Sequence, residues 1–599
     1  MNRKNKVVSA AVGLGVIFAC AAYAQTGSLG GSTVAPTPTG AVTVVSGSSA
    51  TATSAFAGSL ASANSAALIE KAPVNGEFFS FGVQTHFSQN WPAAWLGLAS
   101  QIGARTLRDT VSWASVEKQP GVYTFAGSTS VDILTRHCAA NGKLLLTIVQ
   151  KNPLYDGGKT VHSAAGQAAY AAYVKALLDR FGSCISAIEV GNEINGADAL
   201  DYPAGMDEAR TYVASLQELA RVVKPAHPKV AILGGSTNTV GTGFLEKLFA
   251  ASALKVMDGV AVHPYRSSVE GLDLEITHLR DVMRKYGTPV AIWATEFSYD
   301  TSDQAAAAAG LVKSAAQLSA SGVDHASWYA LVDQTWFPNM GLFTRTAIKP
   351  NGMAYQTIMQ RLFAYGRAVR VDTGDGLVYL YRFGANRWLA WGAPRTLTFF
   401  GAPVIRDIYG TARPGASVQL GSEPVLIEGS SGFTMTASDV VADTMLQYGS
   451  APWTYLRRGS NNKDVALPLF DNDFTSYFGD RWSKPLRISS TSAAPAGTGS
   501  DPMRAVIRYT SPKTQQLDLD VCLSKTAKGD GVDYRVTRNG VVASSGILTG
   551  KTTIRSLALD LAPGDKVDLI FGPNQTYGDD SFSYRARLTA RGRGAAMCS

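Results

Sequence analysis

The chain predicts an α/β protein: a (β/α)8 TIM barrel followed by a small β-domain and a C-terminal β-sandwich. Three observations carry this expectation. Eight short runs rich in Val, Ile, Leu and aromatic residues recur between about residues 79 and 331, and most gaps between them hold Ala/Leu-rich stretches at helical spacing. Strand-helix alternation repeated eight times closes a parallel sheet into a barrel rather than leaving it open. Beyond residue 365 the pattern changes to short strands punctuated by Gly, Asn and Asp turns, which indicates antiparallel sheets.

Taken in order, the barrel strands are expected at Phe79–Gln84, Arg105–Asp109, Lys143–Val149, Ala187–Glu193, Val230–Gly235, Gly259–Tyr265, Pro289–Glu296 and His325–Leu331. Helical spacing is clearest at Ala168–Arg180, Glu208–Val223 and Gln304–Ala320. Residues 366–450 read as the small β-domain, from runs such as Gly376–Phe383 and Arg387–Trp391, and residues 451–599 as the sandwich, from Ala505–Tyr509, Gln516–Cys522 and Lys566–Phe571. A sandwich on such a protein is read either as a carbohydrate-binding module or as a purely structural domain.

Ahead of the barrel, Arg3, Lys4 and Lys6 precede the apolar run Val12–Ala22, and Ala22-Tyr23-Ala24 forms a small-x-small cleavage site; residues 1–24 read as a secretory signal peptide. A lipid anchor at Cys20 is disfavoured by Phe18. Residues 25–68, rich in Ser, Thr, Ala and Gly and without charge, read as a flexible tether. The mature chain is thus expected in the periplasm or outside the cell, without a transmembrane segment. The formal charge of +8 falls by three with the leader and demands no polyanionic partner. With no Gly-rich phosphate loop and no basic stripe interleaved with aromatics, a nucleic-acid partner is not expected.

The chemistry lies in two glutamates. Glu193 and Glu296 each close an apolar strand run, about three βα units of roughly 30–35 residues apart, so both fall on the C-terminal rim of one barrel. A carboxylate is costly where water is scarce, and a pair of them is the equipment of glycoside hydrolysis: one protonates the departing oxygen, the other attacks the anomeric carbon or activates water. Either glutamate alone would ordinarily read as a solvated or paired rim residue; it is their joint placement with Asn192 and Thr295 that points to catalysis. Glu189, two residues into the fourth strand run, reads as a structural carboxylate paired inside the barrel. No His/Cys cluster has metal spacing, and no cofactor is expected.

Around these residues the sequence resembles the clan A glycoside hydrolases, over about residues 75–365. Glu189-Val190-Gly191-Asn192-Glu193 is similar to their strand-four Asn-Glu motif, and Trp293-Ala294-Thr295-Glu296-Phe297 to their strand-seven nucleophile motif. Arg108-Asp109, Trp113, Val116-Glu117, Gly121, Tyr123-Thr124-Phe125, His263-Pro264-Tyr265, Gly341-Leu342-Phe343, Lys349-Pro350 and Ala354-Tyr355 resemble glycoside hydrolase family 39, including its bacterial exopolysaccharide glycosidases. Gly191 departs from the Trp that many relatives carry there.

The resemblance implies a retaining enzyme with the two carboxyls about 5–5.5 Å apart. Glu193 would be the acid/base, its pKa raised by burial and the second carboxylate, and Glu296 the ionised nucleophile beside Arg108. Asn192 would meet the sugar 2-hydroxyl, Tyr265 would orient Glu296, and His263 would line the rim, unless His-Pro-Tyr merely shapes a turn. Trp328, Trp336 and Trp113 are candidate sugar platforms, with core packing as their rival role. Asp109 and His86 are left between lining and supporting roles.

The expected activity is secreted hydrolysis of a polysaccharide, a bacterial exopolysaccharide cut internally, by a monomer whose partner is a polysaccharide or oligosaccharide. The alternatives are an exo-acting β-glycosidase such as a β-xylosidase and, from another class, a non-catalytic glycan-binding protein on a barrel scaffold. Export makes disulfides expected among the remaining cysteines. Cys138 and Cys184 precede adjacent parallel strands and should meet at the bottom of the barrel. Cys522 and Cys598 should pair at the C-terminal end.

Overall fold

A computed structural model describes residues 42–45, 79–197, 199–483, 485–594 and 597–598. The expected signal peptide lies outside the described residues. Eight parallel strands close a barrel: Ser80–Gln84, Thr106–Asp109, Lys143–Ile148, Ile185–Val190, Ala231–Asn238, Gly259–His263, Ala291–Phe297 and His325–Trp328, here called first to eighth. All eight expected runs are present. The fifth runs three residues beyond the expected end, to Asn238, while the fourth, sixth and eighth stop earlier, at Val190, His263 and Trp328.

Helices Ala164–Phe181, Glu208–Val223 and Gln304–Ala320 cover the outside. Each begins where a side chain satisfies otherwise orphaned amides: Ser163 caps the first, Asp207 the second and Asp303 the third. Inside the barrel, Leu145, Ala187, Leu233 and Ala261 fill the lumen with Trp293 against them, so polar groups higher in the barrel rest on an apolar plug.

The small β-domain is a two-layer structure. A six-stranded sheet that includes Val378–Phe383, Arg387–Gly392 and Val425–Glu428 packs on a four-stranded sheet of Thr396–Phe399, Ser417–Gln419, Gly432–Met435 and Val42–Val45. The last strand falls within the expected tether, whose other residues lie outside the described ones. Val42-Thr43-Val44-Val45 is a β-branched run, and it pairs antiparallel with Gly432–Met435.

The sandwich that follows has two sheets, of eight and seven strands, enclosing Trp453, Tyr509, Leu519, Val536, Phe571 and Phe582. Its first strand is Val440–Asp443, which the sequence reading placed in the small β-domain. That strand pairs with Phe582–Ala590, and its buried Asp443 is held by Arg585 and Arg587 at 2.9 and 3.0 Å.

Both expected disulfides are present: Cys138–Cys184, and Cys522–Cys598. The first joins the entries to the third and fourth strands, opposite the rim that carries Glu193. The second ties the end of the chain to the sandwich, where Met597 and Cys598 are buried beside Cys522. Reduction should lower stability by about 2–4 kcal/mol per bond, because the unfolded chain regains the entropy of an open loop. Thermal unfolding with and without reductant measures this, and identical curves would show that neither bond constrains the unfolded state. Among the described residues no helix is long and apolar enough to cross a membrane.

Candidate active site

The site is built on Arg108, near the end of the second strand and 3% exposed. Its guanidinium donates to Glu189 Oε2 at 2.7 Å, to Glu296 Oε2 at 2.7 Å and to Asn192 Oδ1 at 2.9 Å, with Gln84 Oε1 as a fourth acceptor. Burial alone would lower its pKa, but the two carboxylates outweigh that and raise it. One fixed cation thus connects the first, second, fourth and seventh strands.

Glu189 has the structural role expected of it. Completely buried, it accepts from Arg108, from the hydroxyls of Thr147, Ser236 and Thr295 at 2.6–2.7 Å, and lies 3.2 Å from His263 Nε2. Burial pushes its carboxyl up, yet the charges and hydrogen bonds of Arg108 and His263 hold it well below the ordinary range. Glu189→Leu strips both cations of a buried partner and should cost about 3–5 kcal/mol. An unchanged denaturant midpoint would show that the carboxylate contributes nothing to the fold.

Glu296, at the end of the seventh strand, is fixed on both oxygens. Oε2 takes the Arg108 bond and Oε1 accepts from the Tyr265 hydroxyl at 2.8 Å. Tyr265 stays a proton donor, since burial and the Glu296 charge raise its pKa well above the usual value. Glu193 stands across from it, three residues past the end of the fourth strand. Its φ of 48° is left-handed, a conformation costing about 1–3 kcal/mol for a non-glycine residue and retained where surrounding contacts impose it. Gly191, at φ 88°, makes the same bend, and a Cβ there would come within 2.6 Å of Ile194. This backbone has no place for the Trp of the resembling motif.

His263 joins the two glutamates. Its Nδ1 lies 3.3 Å from Glu193 Oε1 and 3.7 Å from Glu296 Oε2, so those oxygens are separated by at most the sum of the two distances. Burial would lower its pKa, but Glu296, Glu189 and Glu193 together push it up to about 9. This corrects the expectation for Glu193. Burial does raise the Glu193 carboxyl, but the His263 hydrogen bond and charge, the Asn238 bond at 2.8 Å and the Arg108 charge prevail and lower it. The sequence reading gave His263 a lining role and so missed the cation that reverses the shift.

Arg108, Asn192, Glu193, His263, Tyr265 and Glu296 are therefore brought together at one rim. Two of the aromatic candidates do not join them. Trp113, 2% exposed, is stacked with Tyr155 and Tyr173 and donates to Glu117; Trp328, completely buried, donates to Met340 O at 2.8 Å and packs edge-on against Phe297. Neither ring offers a face to a sugar, because each indole N–H has found its partner inside the core. Trp336, in the loop after the eighth strand, is 85% exposed.

Asp109 is a support: it is buried and accepts from Thr85 and from the amides of Phe87 and Thr110, which shapes the loop after the first strand. His86 stands edge-on to Tyr329 and Trp91, its pKa lowered to about 4 by burial and by Arg108. Sequence reading missed Gln84, Asn238 and Tyr329. Tyr329 feels the charges of Glu296 and Glu193. A signal for Asn238 existed in the polar tail Ser236-Thr237-Asn238, which ends a barrel strand on the rim where such sites are built.

Among the described residues no group of three or more His, Cys, Asp or Glu could hold a metal ion. No model of a known protein family matches the chain, and no curated protein matches it. Among solved structures it is similar to a family 39 glycoside hydrolase from the gut symbiont Bacteroides cellulosilyticus WH2, at TM-score 0.49 and 18% identity over 59% of this chain and 81% of that one. It is also similar to a GH39 β-xylosidase from Caulobacter crescentus, at TM-score 0.45 and 19% identity over 61% of this chain and 98% of that one. A GH39 enzyme from Xanthomonas axonopodis pv. citri aligns over 84% of this chain and 96% of its own, at TM-score 0.41 and 14% identity. At such scores and identities the likenesses carry no argument about function, which rests on the side chains described above.

Proposed function

We propose that the protein is a retaining glycoside hydrolase acting by double displacement. The observation that supports this most directly is the opposed pair at His263: Glu296, immobilised by Arg108 and Tyr265, faces Glu193 across a single imidazole. A carboxylate held on both oxygens is a well-aimed nucleophile. Its partner, with 35% of its side chain open to solvent, can reach a glycosidic oxygen. The upper limit on their separation admits the about 5–5.5 Å of a retaining pair and leaves out only the wider part of the roughly 6.5–9.5 Å found in inverting enzymes.

In the first step Glu296 forms a bond to the anomeric carbon as the glycosidic bond breaks and Glu193 gives its proton to the leaving oxygen. In the second, Glu193 takes a proton from water, whose oxygen displaces Glu296. In this reading Asn192, exposed at the rim with its Oδ1 held by Arg108, meets the sugar 2-hydroxyl, and Trp336 is one exposed ring for stacking.

The substrate we propose is an extracellular or periplasmic polysaccharide, a bacterial exopolysaccharide cleaved internally. Two disulfides are compatible with an oxidising compartment. Digestion of the producing organism's own exopolysaccharide, with mass spectrometry of the products, tests this. Discrete oligosaccharides support it, monosaccharide alone replaces internal cleavage by exo action, and folded protein that releases nothing from any glycan favours the binding module.

A further inference from the structure

The strands Leu469–Asp471 and Ser476–Phe478 of the C-terminal sandwich form a hairpin whose turn, Asn472–Thr475, rests on the catalytic rim of the barrel. The turn is rigid in itself, since Asn472 Oδ1 accepts from the amides of Phe474 and Thr475, both at 2.7 Å. Its carbonyls serve the barrel. Asn472 O accepts from Gly243 N at 3.1 Å, Phe474 O from Gly241 N at 3.0 Å and from the Thr239 hydroxyl, and Asp473 O from Asn195 Nδ2 at 2.7 Å.

Gly241 and Gly243 flank the start of helix Thr242–Ala250, which has no side-chain cap of its own, so another domain supplies it. Lys247 pairs with Asp473 at 2.8 Å and His278 with Asp471 at 2.7 Å beside this contact. The fit is close: a Cβ on Gly243 would come within 2.6 Å of Asn472 O.

Asn195 carries this contact to the chemistry. Buried between the two domains, it donates to Asn238 O at 3.1 Å as well as to Asp473 O, and its Oδ1 accepts from Asn238 N at 2.8 Å. Asn238 in turn donates through Nδ2 to Glu193 Oε1 at 2.8 Å. An unbroken chain of hydrogen bonds thus runs from the turn of the sandwich to the carboxyl that stands on a left-handed backbone.

We propose that the C-terminal sandwich is part of the catalytic apparatus: its turn Asn472–Thr475, acting through the positioning residues Asn195 and Asn238, holds Glu193 where it protonates the leaving group. This rests on the assignment of Glu193 as acid/base under the function proposed above. The nucleophile is held by Arg108 and Tyr265 on the other side of the site and, among the described residues, is linked to the turn indirectly, by way of His263 and Glu193, so the two halves of the reaction depend on it unequally.

The test compares the full-length chain with Gly243→Val, which displaces the turn, Asn195→Ala, which cuts the link, and Glu193→Gln as reference. The probes are two aryl glycosides of one sugar: the 2,4-dinitrophenyl β-glycoside that the wild-type chain turns over fastest, and the phenyl β-glycoside. Dinitrophenolate leaves without a proton, so its kcat/KM reports the nucleophile and the fold, whereas phenolate needs the acid. In Gly243→Val and Asn195→Ala the phenyl glycoside should lose about 100-fold in kcat/KM while the dinitrophenyl glycoside is nearly spared, the same split as in Glu193→Gln.

If Glu193→Gln splits the two substrates and the other two variants do not, the role of the sandwich is overturned and the acid/base assignment stands. Absence of a split in Glu193→Gln, or no turnover of any dinitrophenyl glycoside by the wild-type chain, overturns the assignment itself. Should Gly243→Val fail to fold, Asn195→Ala decides alone, and an equal loss on both substrates in it counts against the proposal.

Discussion

Glu296→Gln is expected to abolish turnover on every substrate, by on the order of 10⁴–10⁶-fold, because among the described residues no other group at the rim is placed to form the covalent intermediate. Glu193→Gln should behave differently. Without the acid, hydrolysis of substrates with poor leaving groups falls by about 10²–10⁴-fold, while the first step survives on substrates whose leaving group needs no proton. Added azide then intercepts the glycosyl-enzyme without base assistance, restoring turnover and yielding a β-glycosyl azide. The contrast follows from the contacts: Glu296 is locked by Arg108 and Tyr265, whereas Glu193 is held on one oxygen only, by Asn238 and His263. Near-wild-type activity in Glu296→Gln, or an azide product of inverted configuration from Glu193→Gln, would remove the double-displacement mechanism.

The second large effect is expected at His263. Lowered by its neighbours, the Glu193 carboxyl is a weak keeper of its own proton, but His263 Nδ1, 3.3 Å away and pushed up to about 9, holds one in reserve. The two groups titrate as a pair, and the proton that Glu193 delivers is lost from the pair only when His263 deprotonates. The alkaline limb of kcat/KM in the wild-type protein should therefore lie near 9. In His263→Gln the reserve is gone, Glu193 must keep the proton unaided, and the limb should move to lower pH. Arg108, Glu189, Glu296 and Tyr265 also face this imidazole; the variant leaves all four in place, so a shifted limb reports the histidine itself. A pH profile of kcat/KM for both proteins decides it, and coincident limbs would take His263 out of the proton path.

What the sequence by itself determined is everything that repeats or is chemically obligatory. Eight buried strands need eight apolar runs, and their ends place Glu193 and Glu296 on one rim whatever the loops do. Glu189 could be read as structural because a carboxylate inside an apolar strand must be paired. The two disulfides were legible because adjacent parallel strands begin on the same face and because Cys522 and Cys598 fall in the same sandwich.

Tertiary structure alone decided what depends on which groups are brought within a few ångströms of one another. Trp113 and Trp328 look like sugar platforms in a string of letters, and only packing shows their faces covered. The lowered Glu193 carboxyl depends on the distance to His263, seventy positions along the chain, and electrostatics reads distance rather than sequence separation. Val42–Val45 pairs with Gly432–Met435, and Asn472–Thr475 meets the barrel rim, largely through backbone groups of distant segments. Backbone amides and carbonyls are carried by almost every residue, so such pairings leave no mark in residue type, and the chain's most distant contribution to its own site became visible only in the fold.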